Sequence, residues 1–193
     1  VLTLFFFLNL LGLRPAARAQ LVMFVGLVAA LAAFIALGLP AVDPANLSPM
    51  VSGNVGGILA GAGILYFASL GANFVIDIGG EMRDATVTIP RSFLLSVPLV
   101  FVLYVLVGVV AVGTIGVDAM AGETLATPAE TFLSPGFQTF FAVGGALLAV
   151  ATSLNAAFIL VPRYLHALAS DGIFPPALAR RNDRFGTAHW GMV

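Results

Sequence analysis

The sequence predicts an all-α, polytopic membrane protein. Three observations carry that prediction: composition, the length of the uncharged runs, and the placement of the arginines. Of the 193 residues, 60% are apolar and only 9% are charged, against roughly 25% charged in soluble domains. The mean hydropathy is +1.07. Such a chain cannot clothe a soluble globule in polar side chains, so a soluble enzyme and a disordered tail are excluded. The net charge of −1 leaves no basic footprint for a phosphate backbone, which excludes nucleic acid as a partner. Cysteine is absent, so disulfide and thiolate chemistry are absent too.

Charge-free runs locate the spans. They are Val1–Leu13, Ala19–Val42, Pro44–Ile76, Ser92–Val117 and Thr131–Pro162. A helix needs about 20 apolar residues to cross the hydrocarbon layer. The last four runs are long enough. The first is short and begins in mid-run without a basic start or a cleavage site, so it reads as part of a span and not as a signal peptide. The reading is one transmembrane domain over 1–193, an internal piece cut at both ends. Its spans are 1–13 (partial), 20–39, 55–80, 91–116 and 135–169.

All eight basic residues are arginine. Arg14 and Arg18 lie in the first connection, Arg83 and Arg91 in the third, and Arg163, Arg180, Arg181 and Arg184 at or after the end of the last span. The second and fourth connections hold none. The positive-inside rule therefore places 14–19, 80–91 and 170–188 in the cytoplasm, and 40–54 and 118–134 outside. One helix more or fewer would scramble this alternation.

Each span has its own signals. The first full helix ends at Leu39-Pro40. Asn46-Leu47-Ser48 matches a glycosylation acceptor, but Pro49 follows, so it reads as turn composition. Pro98 marks a kink in the span over 91–116. Ser134-Pro135 forms a cap and first-turn pair, and Asp171-Gly172 stops the last helix. That helix, at about 52 Å, overshoots the bilayer. Gly145, Ala149, Thr152 and Ala156 give it a small-residue stripe suited to close helix packing. Ser153 and Asn155 are polar at membrane depth and more open to a ligand role.

Residues 55–80 are the most informative. The stretch contains Gly56, Gly57, Gly61, Gly63, Gly71, Gly79 and Gly80. Ser69, Gly71 and Asn73 cluster near its centre. A helix interrupted there would present carbonyls and amides at the midplane, as transporters do to bind substrate. The alternative is an unbroken helix whose glycines serve close packing, which Gly57-x-x-x-Gly61 fits. Asp77 is an ionisable residue inside a span, and such residues are functional candidates. Spaced by four, Asn73, Asp77 and Glu81 would form one polar helix face lining a pathway. The competing reading pairs Asp77 with a polar partner on a helix outside these residues. No dinucleotide fingerprint, zinc-like spacing or nucleophile–base pairing occurs, so neither a metal nor catalysis is expected.

Two motifs carry a family resemblance. Phe67–Asn73 reads F-A-S-L-G-A-N and is followed by E-M-R-D-A-T-V-T-I-P-R over Glu81–Arg91. Arg163–Pro175 reads R-Y-L-H-A-L-A-S-D-G-I-F-P, followed by R-F-G-T-A-H over Arg184–His189. These resemble the sixth helix and the end of the eighth helix, with their loops, of the amino acid–polyamine–organocation (APC) permeases. Asn9–Gly12 with Ala17–Gln20 resembles the end of helix four.

The resemblance implies a partial LeuT-like inverted-repeat fold, from the end of helix four to the start of helix nine, with a discontinuous helix around 67–73. It implies secondary active transport of amino acids by alternating access. An amine or polyamine exchanger of the same fold is the alternative. A channel-like or non-transporting subunit is the reading from another class. The implied substrate site is Phe67, Ala68, Ser69, Leu70, Gly71 and Asn73, with the carbonyls of Phe67 and Leu70 holding an α-ammonium. Asp77 and Glu81 would serve pathway or coupling, and Thr152 and Ser153 a candidate cation site.

No cofactor is implied. Na+ and H+ are the two candidate coupling ions. The implied partners are the substrate, the lipid bilayer and the remaining helices of the full-length protein. Asn73 stands where the family often has an acid, Ala85 and Ala188 replace loop prolines, and Pro162 precedes the helix-eight arginine. Leu27 stands where some relatives carry a proton-coupling lysine.

Cysteines introduced at Ser48 and Ala126 should react with an impermeant maleimide in intact cells. Reaction only after permeabilisation would overturn the orientation.

Overall fold

The computed structural model describes residues 2–10, 13–48, 55–69, 71, 74–77, 79–82 and 84–179, with backbone alone at 2, 13, 14, 67–69, 74, 81 and 179. Helices α1 (Leu2–Leu10), α2 (Leu13–Gly38), α3 (Val55–Ser69), α4 (Phe74–Asp77) and α5 (Ala85–Ile115) come first. Then follow α6 (Val117–Met120), α7 (Ala126–Phe132), α8 (Pro135–Phe141) and α9 (Leu148–Ser170). No strand occurs among the described residues. Three helical stretches are long and apolar enough to cross a membrane: Pro15–Ala41, Ala85–Ile115 and Pro135–Ser170. The apolar helix Val55–Tyr66 is shorter. The chain divides into two compact units, one of residues 1–30 and 139–193, the other of residues 31–138.

In the first unit, α2 and the last span run antiparallel. Gly26 lies against Leu148 and Gly144 against Ala30, while Asn155 reaches Ala16 and Gln20. A Cβ on Gly144 would come within 2.8 Å of the Ala30 Cβ, so the helices approach as closely as glycine allows. α1 packs on α9, and Phe5, Ala16, Ala30, Phe141, Leu160 and Ala169 are buried.

The second unit is built on α5. Phe34 is fully buried and meets Phe132 edge-on, with ring centroids 5.2 Å apart. A Cβ on Gly38 would run into Val110 and Phe132. The segment after α2 forms two 3-10 turns, Leu39–Ala41 and Pro44–Leu47. It folds over the end of α5, where the Asp43 N–H (2.9 Å) and Asn46 Nδ2 (3.0 Å) both donate to the Gly113 carbonyl. The Asn46 amide is thereby committed to a turn.

Several element bounds differ from the sequence reading. α2 begins at Leu13, so 14–19 is helical and not a loop. The arginines there mark a change of environment, and arginine and alanine are good helix formers. Pro15 falls in the first turn, where its missing N–H has no intrahelical partner anyway. α5 likewise begins at Ala85 and not at 91, with Pro90 and Pro98 inside it. The connection over 118–134 holds α6 and α7. The span over 135–169 is not one α-helix, because Ala142–Leu147 is a π-helical turn. Its Gly144-Gly145 pair accommodates the wider winding.

α9 ends in a Schellman turn. Ile173 N–H donates to Leu168 O at 2.9 Å and Gly172 N–H to Ala169 O at 3.2 Å. Gly172 sits at φ 79°, which glycine adopts without strain. At the start of α5, Asp84 adopts φ 54° and its carbonyl accepts from Val87 and Thr88. Among non-glycine residues, Asp and Asn tolerate this region best.

Asp84→Asn and Asp84→Gly should leave thermal stability nearly unchanged. Asp84→Val should destabilise by about 1–3 kcal/mol, read as a drop in the melting temperature of the detergent-solubilised protein. A neutral Val variant would remove the strain argument.

Candidate functional site

The centre of the span over 55–80 is where the α-helix stops. α3 ends at Ser69, Gly71 lies in 3-10 conformation, and α4 runs over Phe74–Asp77. A further 3-10 turn occupies Gly79–Glu81. α3 is an uncharged apolar run, with Ile58, Leu59, Ile64, Leu65, Tyr66 and Phe67 on either side of an Ala-Gly-Ala-Gly segment. Its described side chains are exposed on nearly every side, Ile64 at 72% and Tyr66 at 71%. A helix apolar all round belongs among lipid or other helices. Nothing lies within 4 Å of a Cβ built on Gly61, Gly63 or Gly71. The described part of this chain therefore supplies neither the close packing that Gly57-x-x-x-Gly61 suggested at Gly61 nor any crowding at Gly71.

Of the residues expected to hold substrate, Gly71 is exposed beside open space. Leu70 and Asn73 lie outside the described residues, as do the side chains of Phe67, Ala68, Ser69 and Glu81. Asp77 is exposed at the end of α4. Of the expected face of Asn73, Asp77 and Glu81, only Asp77 has a described side chain; α4 ends at Asp77 and a 3-10 turn covers Gly79–Glu81.

Thr152 is half-buried, and its Oγ1 donates to Ala149 O at 2.9 Å. Ser153 is exposed, and its Oγ donates to the same carbonyl at 3.0 Å. The oxygens of both hydroxyls keep acceptor capacity, as a cation ligand needs. Leu27 is half-buried in α2. Among the described residues no group of three or more His, Cys, Asp or Glu side chains could hold a metal ion.

Asn155 is not available to a ligand. It is fully buried, and its amide is committed within the first unit. Its Nδ2 donates to Ala16 O at 3.1 Å and to Gln20 Oε1 at 2.8 Å, and its Oδ1 accepts from Asn9 Nδ2 at 3.0 Å. Asn9, 3% exposed, also donates to Phe5 O. Sequence reasoning did not join these residues. The available signal was three lone amides, Asn9, Gln20 and Asn155, in or beside otherwise apolar runs. An amide in lipid seeks another polar group.

Three long apolar helices, with a shorter apolar helix followed by an interruption, define a polytopic helical membrane protein. The amino acid permease family profile matches residues 1–193. The chain belongs to that family, within the APC superfamily.

An uncharacterized transporter of Mycobacterium tuberculosis is 33% identical over 156 residues, covering 78% of this chain and 34% of the relative. The branched-chain amino acid permease BcaP of Lactococcus lactis is 28% identical over 184 residues, covering 90% of this chain and 39% of the relative. The mitochondrial cationic amino acid transporter 3 of Arabidopsis thaliana is 31% identical, covering 67% of this chain and 21% of the relative. The chain thus spans well under half the length of these relatives. No solved structure is significantly similar to it.

Proposed function

We propose that this chain is part of a secondary transporter that moves amino acids across a membrane by alternating access. One observation carries the reading: in a permease-family chain, the α-helix stops at Ser69 and resumes at Phe74 inside an otherwise apolar span. A helix interrupted there would leave backbone carbonyls without intrahelical donors. Carbonyls are the natural acceptors for an α-ammonium, and in lipid such backbone persists only beside protein, water or ligand. The site comprises Phe67, Ala68, Ser69, Leu70, Gly71 and Asn73. Asp77 and Glu81 lie beyond it toward the arginine-bearing side, which faces the cytoplasm at 14–19, 80–91 and 170–188. The names of the Lactococcus and Arabidopsis relatives support an amino acid as the substrate.

A second reading, transport of amines or polyamines, draws on Asp77. Its exposed carboxylate at the end of α4 is a suitable counter-charge for a second ammonium. An uptake screen of the whole protein in liposomes, with and without sodium and proton gradients, separates the two. Amino acid uptake supports the first, and uptake of diamines alone supports the second. Uptake of neither class overturns both.

Gly71→Leu should abolish substrate binding by isothermal calorimetry, because the added side chain would crowd the interrupted backbone, while the protein still inserts. Asp77→Asn should be milder, lowering the maximal uptake rate by up to about tenfold with KM little changed. Full binding by Gly71→Leu would remove the site from this interruption. Thr152 and Ser153 are the proposed cation ligands. Replacing both by Ala should reduce the sodium-stimulated fraction of uptake, and undiminished stimulation would exclude them.

A further inference from the structure

We propose that Asn155 is the catch of a hinge between α2 and α9. It is closed by its two hydrogen bonds to Ala16 and Gln20 and opens as the transporter passes between its access states. The inference rests on the transport reading for its role, but the device itself is read from the amide cluster.

The contact between α2 and the last span has two chemically different parts. Around Gly26, Ala30, Gly144 and Leu148 it is apolar and as close as helices come. About 10 residues along α2, roughly 15 Å at 1.5 Å per residue, it is polar: Ala16 O and Gln20 Oε1 against Asn155 Nδ2. Close small-residue contacts hold backbones together by van der Waals packing. Interhelical amide bonds in membrane proteins are directional and individually weak. The apolar end is therefore the pivot and the amide end the part that separates. The π-helical turn Ala142–Leu147 lies at the pivot, where Gly144 meets Ala30. π-helical turns are frequent at functional sites, and their wider winding suits a change of local helix register.

The partners of Asn155 are not equivalent. Asn9 is as buried as Asn155 and sits on α1, which packs on α9. Separating that pair would strand two buried amides, which is costly. Gln20 is only half-buried and can take water in place of Asn155, so parting α2 from α9 strands one buried amide and not two. The break therefore runs between α2 and α9, and the Asn9–Asn155 bond travels with α9. Asn155 acts as a positioning residue and touches no substrate.

The test uses the whole protein in liposomes with nitroxide labels on Ala17→Cys and Val161→Cys, both exposed positions on the two helices. This chain contributes no cysteine of its own. Distances are read by pulsed electron resonance, and amino acid uptake is measured in parallel. Gln20→Leu removes one acceptor. It should raise the ratio of long- to short-distance populations by about 3- to 15-fold, and the maximal uptake rate should change more than KM. Gln20→Glu retains an acceptor oxygen and should restore the wild-type distribution.

An unshifted distribution in Gln20→Leu, or an equal shift in Gln20→Glu, would overturn the hinge. So would failure of Gln20→Leu to insert, because the cluster would then hold the fold together instead of releasing. Wild-type uptake with no distance shift in Gln20→Leu leaves transport standing and the hinge fallen. A shift specific to Gln20→Leu in a protein that takes up no amino acid leaves the hinge standing and the transport reading fallen.

Discussion

Every backbone carbonyl and amide in a lipid-embedded chain has to find a partner within the protein, because hydrocarbon offers none. The rest of this structure depends on that constraint. With so few charged side chains, solubility in water is not an option, and continuous helices are the direct solution. The detail lies where helices end. At the end of α5 several carbonyls find partners outside the regular ladder. Thr114 Oγ1 donates to Val110 O and Ala111 O, Gly116 N–H to Val112 O, and Asp43 and Asn46 close Gly113 O. At the end of α9 the Schellman turn performs the same task with backbone alone. At Ser69 an α-helix stops in the middle of an apolar stretch, where leaving a carbonyl unsatisfied would cost most.

The same constraint explains what the sequence made legible. The spans are visible because a bilayer demands long uncharged runs. The stop at Asp171-Gly172 is visible because φ near 80° is a glycine position. The interruption near Gly71 is visible because serine, glycine and asparagine are poor company for a lipid-facing helix. The helix starts at Leu13 and Ala85 were not visible. The arginines there suggest loops, yet arginine fits the beginning of a helix, and the charge pattern reports solvent and not backbone geometry. Spacing by four has meaning only while the winding stays α-helical, and the sequence does not announce the 3-10 turn at Gly79–Glu81.

The amide cluster was illegible for another reason. Asn9, Ala16, Gln20 and Asn155 come together only after the chain has folded back over more than a hundred residues. Single-sequence periodicity reads one helix at a time. It can mark an amide in an apolar run as needing a partner, but it cannot say which partner. The residues proposed to bind substrate stand at the other extreme. Their types and order are plain in the sequence, while their roles depend on groups that must approach from outside α3 and α4.

The π-helical turn at Ala142–Leu147 carries a consequence for sequence variation along the last span. A π-turn holds one residue more than the α-turn it replaces. Losing a single residue between this turn and Asn155 would rotate Asn155 by about 100° and carry it away from Ala16. Losing one within 142–147 would instead convert the turn to ordinary α-helix and leave both flanks in phase. Homologues that differ in length inside this span should therefore place their gaps here, with the facing residues on either side still matched.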